Sequence, residues 1–129
     1  MHEDRARPTI AEVSLSALRA NCRQARELVG GQVSVMAVVK ADGYGHGAVG
    51  AARAFVEAGA AALGVSTVVE GVELRRAGFD LPIVVLGGAF AGEEPAVVSH
   101  GLDCAVWTIE SARALATAAR ADGTAPAST

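Results

Sequence analysis

Four short apolar runs punctuate this chain, at residues 33–39 (VSVMAVV), 61–65 (AALGV), 81–86 (LPIVVL) and 102–107 (LDCAVW). After each one, apolar residues recur at helical spacing. The first of them is rich in β-branched residues, and runs this short and apolar read as strands covered on both faces, hence as a parallel sheet flanked by helices. Strand and helix alternating four times with short connections imply βαβ units with right-handed crossovers. The expected class is α/β, with four parallel βα units in the order 1-2-3-4 and an extra N-terminal helix. That is the first half of a (β/α)8 TIM-type barrel. A whole barrel typically needs about 250 residues. At 129 residues the chain stops where a fifth strand is due. It is expected to be truncated, with its apolar strand edges unpaired.

The connecting segments carry their own signals. Residues 9–15 (TIAEVSL) alternate apolar and polar and suggest a short strand. Ser16 then suits a helix N-cap, and Leu15, Leu18, Cys22, Ala25 and Val29 form one stripe that ends at Gly30-Gly31. Ala48, Ala51, Ala52, Phe55 and Gly59 mark a helix packed through small residues. Thr67 and Glu70 have capping-box spacing for a helix that stops at Gly78. Pro82 enters the third strand where no ladder donor is lost. A short helix is expected over 93–100, and Thr108 caps a last one carrying Ile109, Ala112, Leu115, Ala116 and Ala119. The end, DGTAPAST, has loop or linker composition.

Composition narrows the function classes. A formal charge of −3 argues against nucleic acid or an anionic membrane as the main partner. Residues 1–9 carry acids and no apolar h-region, so no secretory signal is visible. No apolar run approaches the roughly 20 residues that span a bilayer. Cys22 and Cys104 lie far apart in apolar patterns and are expected as buried thiols in a reducing compartment. The expected location is cytoplasmic.

Chemistry concentrates at the end of the first run. Lys40 closes it, and a loop with Gly43, Gly45 and Gly47 follows. The carboxyl end of a buried parallel strand is where α/β folds keep their sites. A lysine there can be a solvated surface residue, a phosphate clamp or an amine that forms a Schiff base. Tyr44 can offer its phenol to a phosphate or a ring heteroatom, or simply pack in the loop. His46 reads as a base, a cap or an exposed loop residue, and Asp42 as a turn former or a site acid. The glycine spacing matches neither a dinucleotide fingerprint nor a Walker loop. Glu70, Glu73, Arg75 and Arg76 read as a solvated helix face with local pairs. No Cys/His spacing suits a metal, and no serine sits in a nucleophile elbow.

Taken whole, AVVKADGYGHG (37–47) resembles the cofactor-lysine motif of the alanine racemases, which bind pyridoxal 5′-phosphate on a barrel domain. RPTIAEVSLSALRAN (7–21) is similar to that family's N-terminal segment. LGVSTVVEGVELRRAG (63–78) is similar to its second βα unit and LPIVVLGG (81–88) to its third strand. The resemblance runs in the family's order to about Ala119. Residues 1–129 would then be part of the N-terminal pyridoxal-phosphate-binding domain. Lys40 would hold the cofactor covalently and serve as one of two bases moving the Cα proton of an amino-acid substrate. Tyr44 would bond the cofactor phosphate, and Leu86 would lie near its ring. The implied activity is interconversion of L-alanine and D-alanine, supplying D-alanine for peptidoglycan, in a homodimer.

The family's second base is a tyrosine on a C-terminal β domain, delivered by the other subunit. Tyr44 is the only tyrosine here and cannot be that residue. The family's later Arg, His and Ser cofactor contacts are absent too, so the isolated chain is expected to be inactive. Two alternatives stand beside this reading. One is a racemase of serine or another small amino acid, and the other is a non-catalytic fragment that only captures pyridoxal phosphate.

Overall fold

The computed structural model describes residues 9–123. The first residues, where no secretory signal is visible, and most of the linker-like tail lie outside that range. The elements run α1 (Leu15–Val29), β1 (Met36–Val38), α2 (Lys40–Tyr44), α3 (Ala48–Glu57), β2 (Ala62–Val65), α4 (Val68–Arg76), β3 (Ile83–Val85), α5 (Glu94–Ser99), β4 (Asp103–Cys104) and α6 (Ile109–Ala121). The four strands form one parallel sheet in the order β1-β2-β3-β4. This is the expected architecture, the first half of a TIM-type barrel. Among the described residues no helix is long and apolar enough to cross a membrane.

Registry explains which face is dry. Ala37 pairs with Leu63 and Leu63 with Ile83, while Val65 pairs with Val85. All five are buried, and they pack with Ala51, Ala52, Val68 and Leu74 of the covering helices. The alternate positions Met36, Val38, Val84 and Leu86 are more open. The first run was expected to be dry on both faces, and here the structure differs. Helices cover one side of the sheet, whereas the other is the side a closed barrel would turn inward. The strands are also shorter than their apolar runs. The edge strand β4 keeps two residues because β3 alone pairs with it.

Two expectations at the amino end fail. Residues 9–14 form no strand, because no neighbouring strand pairs with them. Ser14, not Ser16, is the N-cap: its backbone is extended and its side chain accepts from the Ala17 N–H. Starting the helix at Leu15 aims that residue at α3, where it approaches Gly50. Cys22 is buried on the same stripe, and Arg19 pairs with Glu57 at 3.3 Å across to α3. The expected caps at Thr67 and Thr108 are both present.

Arg75 does not belong to a solvated helix face. Its guanidinium donates to the carbonyls of Phe79 (2.8 Å), Leu81 (2.7 Å), His100 (2.8 Å) and Gly101 (2.9 Å). It thereby ties the end of α4 to the approaches of β3 and β4. Replacing Arg75 by Met keeps the stem and removes these charge-assisted bonds. The expected loss is about 2 kcal/mol of unfolding free energy, measured by urea titration.

Candidate functional site

The carboxyl ends of β1, β2 and β3 bring the candidate residues together. Val39 is buried and donates its N–H to Gly64 O at 2.8 Å, which carries the ladder one residue beyond β1. Lys40 comes next. It is exposed, and no carboxylate pairs with it among the described residues. From this point the chain turns the wrong way round. Ala41, Asp42, Gly43 and Tyr44 have φ of 52°, 54°, 66° and 57°, so α2 is one turn of left-handed helix.

Each non-glycine in that conformation costs roughly 1–2 kcal/mol, and three of these four carry a Cβ. The turn persists because its surroundings hold it at several points. Gly43 N–H donates to Val39 O at 2.8 Å and Gly45 N–H to Ala41 O at 3.1 Å. Asp42 accepts the Ala48 N–H at 2.8 Å, satisfying an orphan donor at the start of α3. His46 Nδ1 lies 2.9 Å from Gly43 O. Asp42 and His46 are thus engaged by the loop and its junction with α3. Space also favours glycine at 43, since a Cβ there would stand 3.3 Å from Ala48 N and press on the start of α3.

The left-handed turn displays Tyr44, which is 59% exposed, with the Lys40 Nζ 6.0 Å from its ring centroid. Tyr44 also lines a cleft of about 310 Å³, together with Val38, Val39, Ala51 and Phe55. Leu86, one residue past β3, lies on the open face of the sheet. Its Cδ1 would stand 3.2 Å from a Cβ added at Gly64, and Val38 and Met36 close the same spot. Gly64 therefore leaves an apolar floor between Leu86 and the end of β1. Lys40, Tyr44 and Leu86 all stand at this end of the sheet.

Glu70, read from the sequence as a capping-box residue, has a second role that the sequence did not reveal. The capping box with Thr67 forms, but the carboxylate does more than cap. Its Oε1 accepts the N–H groups of Ser66 (2.8 Å) and Thr67 (2.9 Å), and its Oε2 accepts the N–H of Ala41 (2.7 Å). Burial alone would raise its pKa, but the backbone N–H groups of Thr67, Ala41 and Ser66 outweigh this and hold it below the usual carboxylate range. The T-x-x-E spacing announced the contact with Thr67. Nothing in the sequence announced the reach to Ala41.

Both cysteines are free. Cys104 is only half-buried, contrary to expectation, because it sits on the edge strand; burial still pushes its thiol pKa up. Among the described residues no group of His, Cys, Asp and Glu could hold a metal.

A parallel half-barrel with an unpaired lysine at the end of its first strand defines a class of lysine-bearing βα-barrel proteins. Within that class the comparison with known families is specific. The model of the alanine racemase N-terminal domain matches residues 13–127, and the chain belongs to that family. It is 51% identical over 115 residues to the alanine racemase of Symbiobacterium thermophilum, covering 89% of this chain and 30% of that protein. To the alanine racemase of Geobacter sulfurreducens it is 43% identical over 114 residues, covering 88% and 30%. Among solved structures, the Clostridium difficile alanine racemase aligns with a TM-score of 0.84 at 30% identity, over 91% of this chain and 31% of that one. The Bacillus anthracis alanine racemase, solved with bound L-Ala-P, gives 0.79 at 31% identity over 92% and 31%. The chain thus spans about 30% of the length of the relatives it matches.

Proposed function

We propose that this chain supplies the lysine-bearing part of a pyridoxal 5′-phosphate-dependent alanine racemase. The observation that carries the reading is Lys40, the only lysine of the chain, at the carboxyl end of β1 beside Tyr44 and with no carboxylate partner among the described residues. The residues present suit that cofactor: a primary amine, a phenol whose ring centroid lies 6.0 Å from that amine, and the apolar floor of Gly64 and Leu86 for a ring. When bound, the cofactor supplies an electron sink for negative charge at the Cα of an amino acid. Lys40 Nζ would hold it and move a proton at Cα on one face of the substrate. Tyr44 Oη would donate to its phosphate, and the Leu86 side chain would bear on its ring.

Racemisation needs a base on each face of Cα. Tyr44 is the only tyrosine here. The opposite base is therefore proposed to come from the rest of a full-length enzyme, across a homodimer interface. Residues 1–129 would form part of its cofactor-binding barrel domain. Alanine as the substrate is supported by the family and by the L-Ala-P held in the Bacillus anthracis relative. Such an enzyme would work in the cytoplasm and supply D-alanine for peptidoglycan.

The test is reductive trapping. Borohydride added to the protein loaded with pyridoxal 5′-phosphate should leave a stable pyridoxyl adduct, found by peptide mass mapping on Lys40. An adduct on another residue, with Lys40 unmodified, would overturn the assignment.

A further inference from the structure

We propose that Glu70 is a positioning residue for Lys40, clamping the left-handed turn that follows the lysine to the end of β2 and the start of α4. The inference rests on the reading of Lys40 as the cofactor-holding amine. It goes beyond that reading by giving a role to a side chain that touches no reacting atom. Three observations carry it. Glu70 Oε2 takes the N–H of Ala41, the residue directly after Lys40, at 2.7 Å. Its Oε1 takes two N–H groups of the neighbouring βα unit, at 2.8 and 2.9 Å. Ala41 is also the first residue forced into the left-handed region, with φ of 52°. The carboxylate thus grips the backbone at the point where the strand ends and the strained turn begins. With Lys40 on the near side of that point and Tyr44 on the far side, one carboxylate sets where both side chains start. Glu70 is ionised at neutral pH, and the three N–H bonds favour that charged form.

Capping and clamping can be separated because they use different oxygens. Glutamine serves a capping box as well as glutamate does. Its one acceptor oxygen can keep the Ser66 and Thr67 bonds, which leaves an amide NH2 facing the Ala41 N–H. That orientation keeps two bonds and loses one; the reverse keeps one and loses two. Glu70→Gln should therefore retain the helix cap and release the loop after Lys40.

The experiment compares the holoenzyme carrying Glu70→Gln with the parent. Its readouts are the melting temperature, kcat and KM for alanine, and the rate at which the apoprotein takes up pyridoxal 5′-phosphate on Lys40, followed by absorbance and fixed with borohydride. We expect melting within about 2 °C of the parent, KM within about threefold, and kcat and the uptake rate each lowered about 10- to 100-fold, the range that a misplacement near 1 Å produces. Parent-like kcat and uptake overturn the clamp, as does a loss of activity that merely follows a fall in melting temperature. If the parent itself leaves no adduct on Lys40, the cofactor reading fails and the clamp fails with it. An adduct on Lys40 with an unaffected Glu70→Gln variant sinks the clamp alone.

Discussion

Changing Lys40 to Ala is expected to abolish covalent cofactor capture and to lower racemase turnover by at least about 10⁴-fold, while changing Tyr44 to Phe leaves the linkage in place. The asymmetry follows from the two proposed roles. Lys40 would supply both the covalent bond and a base, and an acid/base partner alone is worth about 10²–10⁴-fold. Tyr44 would supply one charge-assisted hydrogen bond, about 1.5–3 kcal/mol, so cofactor affinity should fall about 10- to 100-fold. Neither change should disturb the fold. Lys40 is exposed with no carboxylate partner among the described residues, and Phe keeps the ring of the 59%-exposed Tyr44. Absorbance titration with pyridoxal 5′-phosphate, alongside thermal melting, reads both effects in the full-length enzyme. A Lys40→Ala protein that still racemises alanine at the parent rate, or a Tyr44→Phe protein that loses the adduct altogether, would refute this division of labour.

The sheet was legible because its signals are local. Short apolar runs alternating with helical spacing gave all four strands and their order, and Thr67 and Thr108 announced their helices through spacing alone. Boundaries were less legible. Ser16 carries the same cap chemistry as Ser14, and the choice between them depends on Leu15 reaching Gly50 of α3. The left-handed turn was hidden for a sharper reason. Glycine is the usual sign of positive φ, but Ala41, Asp42 and Tyr44 adopt it with no such sign. They do so because bonds to Glu70, Ala48 and Val39 hold the loop there. Lys40, Tyr44 and Leu86 could be named from the resemblance. Glu70 was legible only as a cap and Arg75 only as a solvated helix charge, because their decisive partners lie on other βα units, 29 residues away for Glu70 and up to 26 for Arg75.

The same end of the sheet carries the largest stability effect we expect, at Gly87. This residue follows β3 and donates its N–H to Ser66 O at 3.0 Å. Its conformation does not demand glycine, since its φ is not positive. Space does: a Cβ at Gly87 would run into the Ser66 carbonyl oxygen, with Ser66 Oγ 3.4 Å away. The obstacle is backbone rather than the flexible tip of a side chain, so it cannot swing aside. Ser66 is also pinned from behind, because its N–H donates to Glu70. Displacing it strains the carboxylate that grips Ala41, and the disturbance reaches the Lys40 loop. Gly87→Ala should therefore cost about 3 kcal/mol, the upper part of the usual range for overpacking. Gly31→Ala is the control. Nothing lies within 4 Å of a Cβ there and its φ is not positive, so the change should stay within about 0.5 kcal/mol. Urea unfolding of both variants decides the matter. If Gly87→Ala is as stable as Gly31→Ala, the ends of β2 and β3 are looser than their hydrogen bonds imply, and the clamp built on Ser66 has no rigid base.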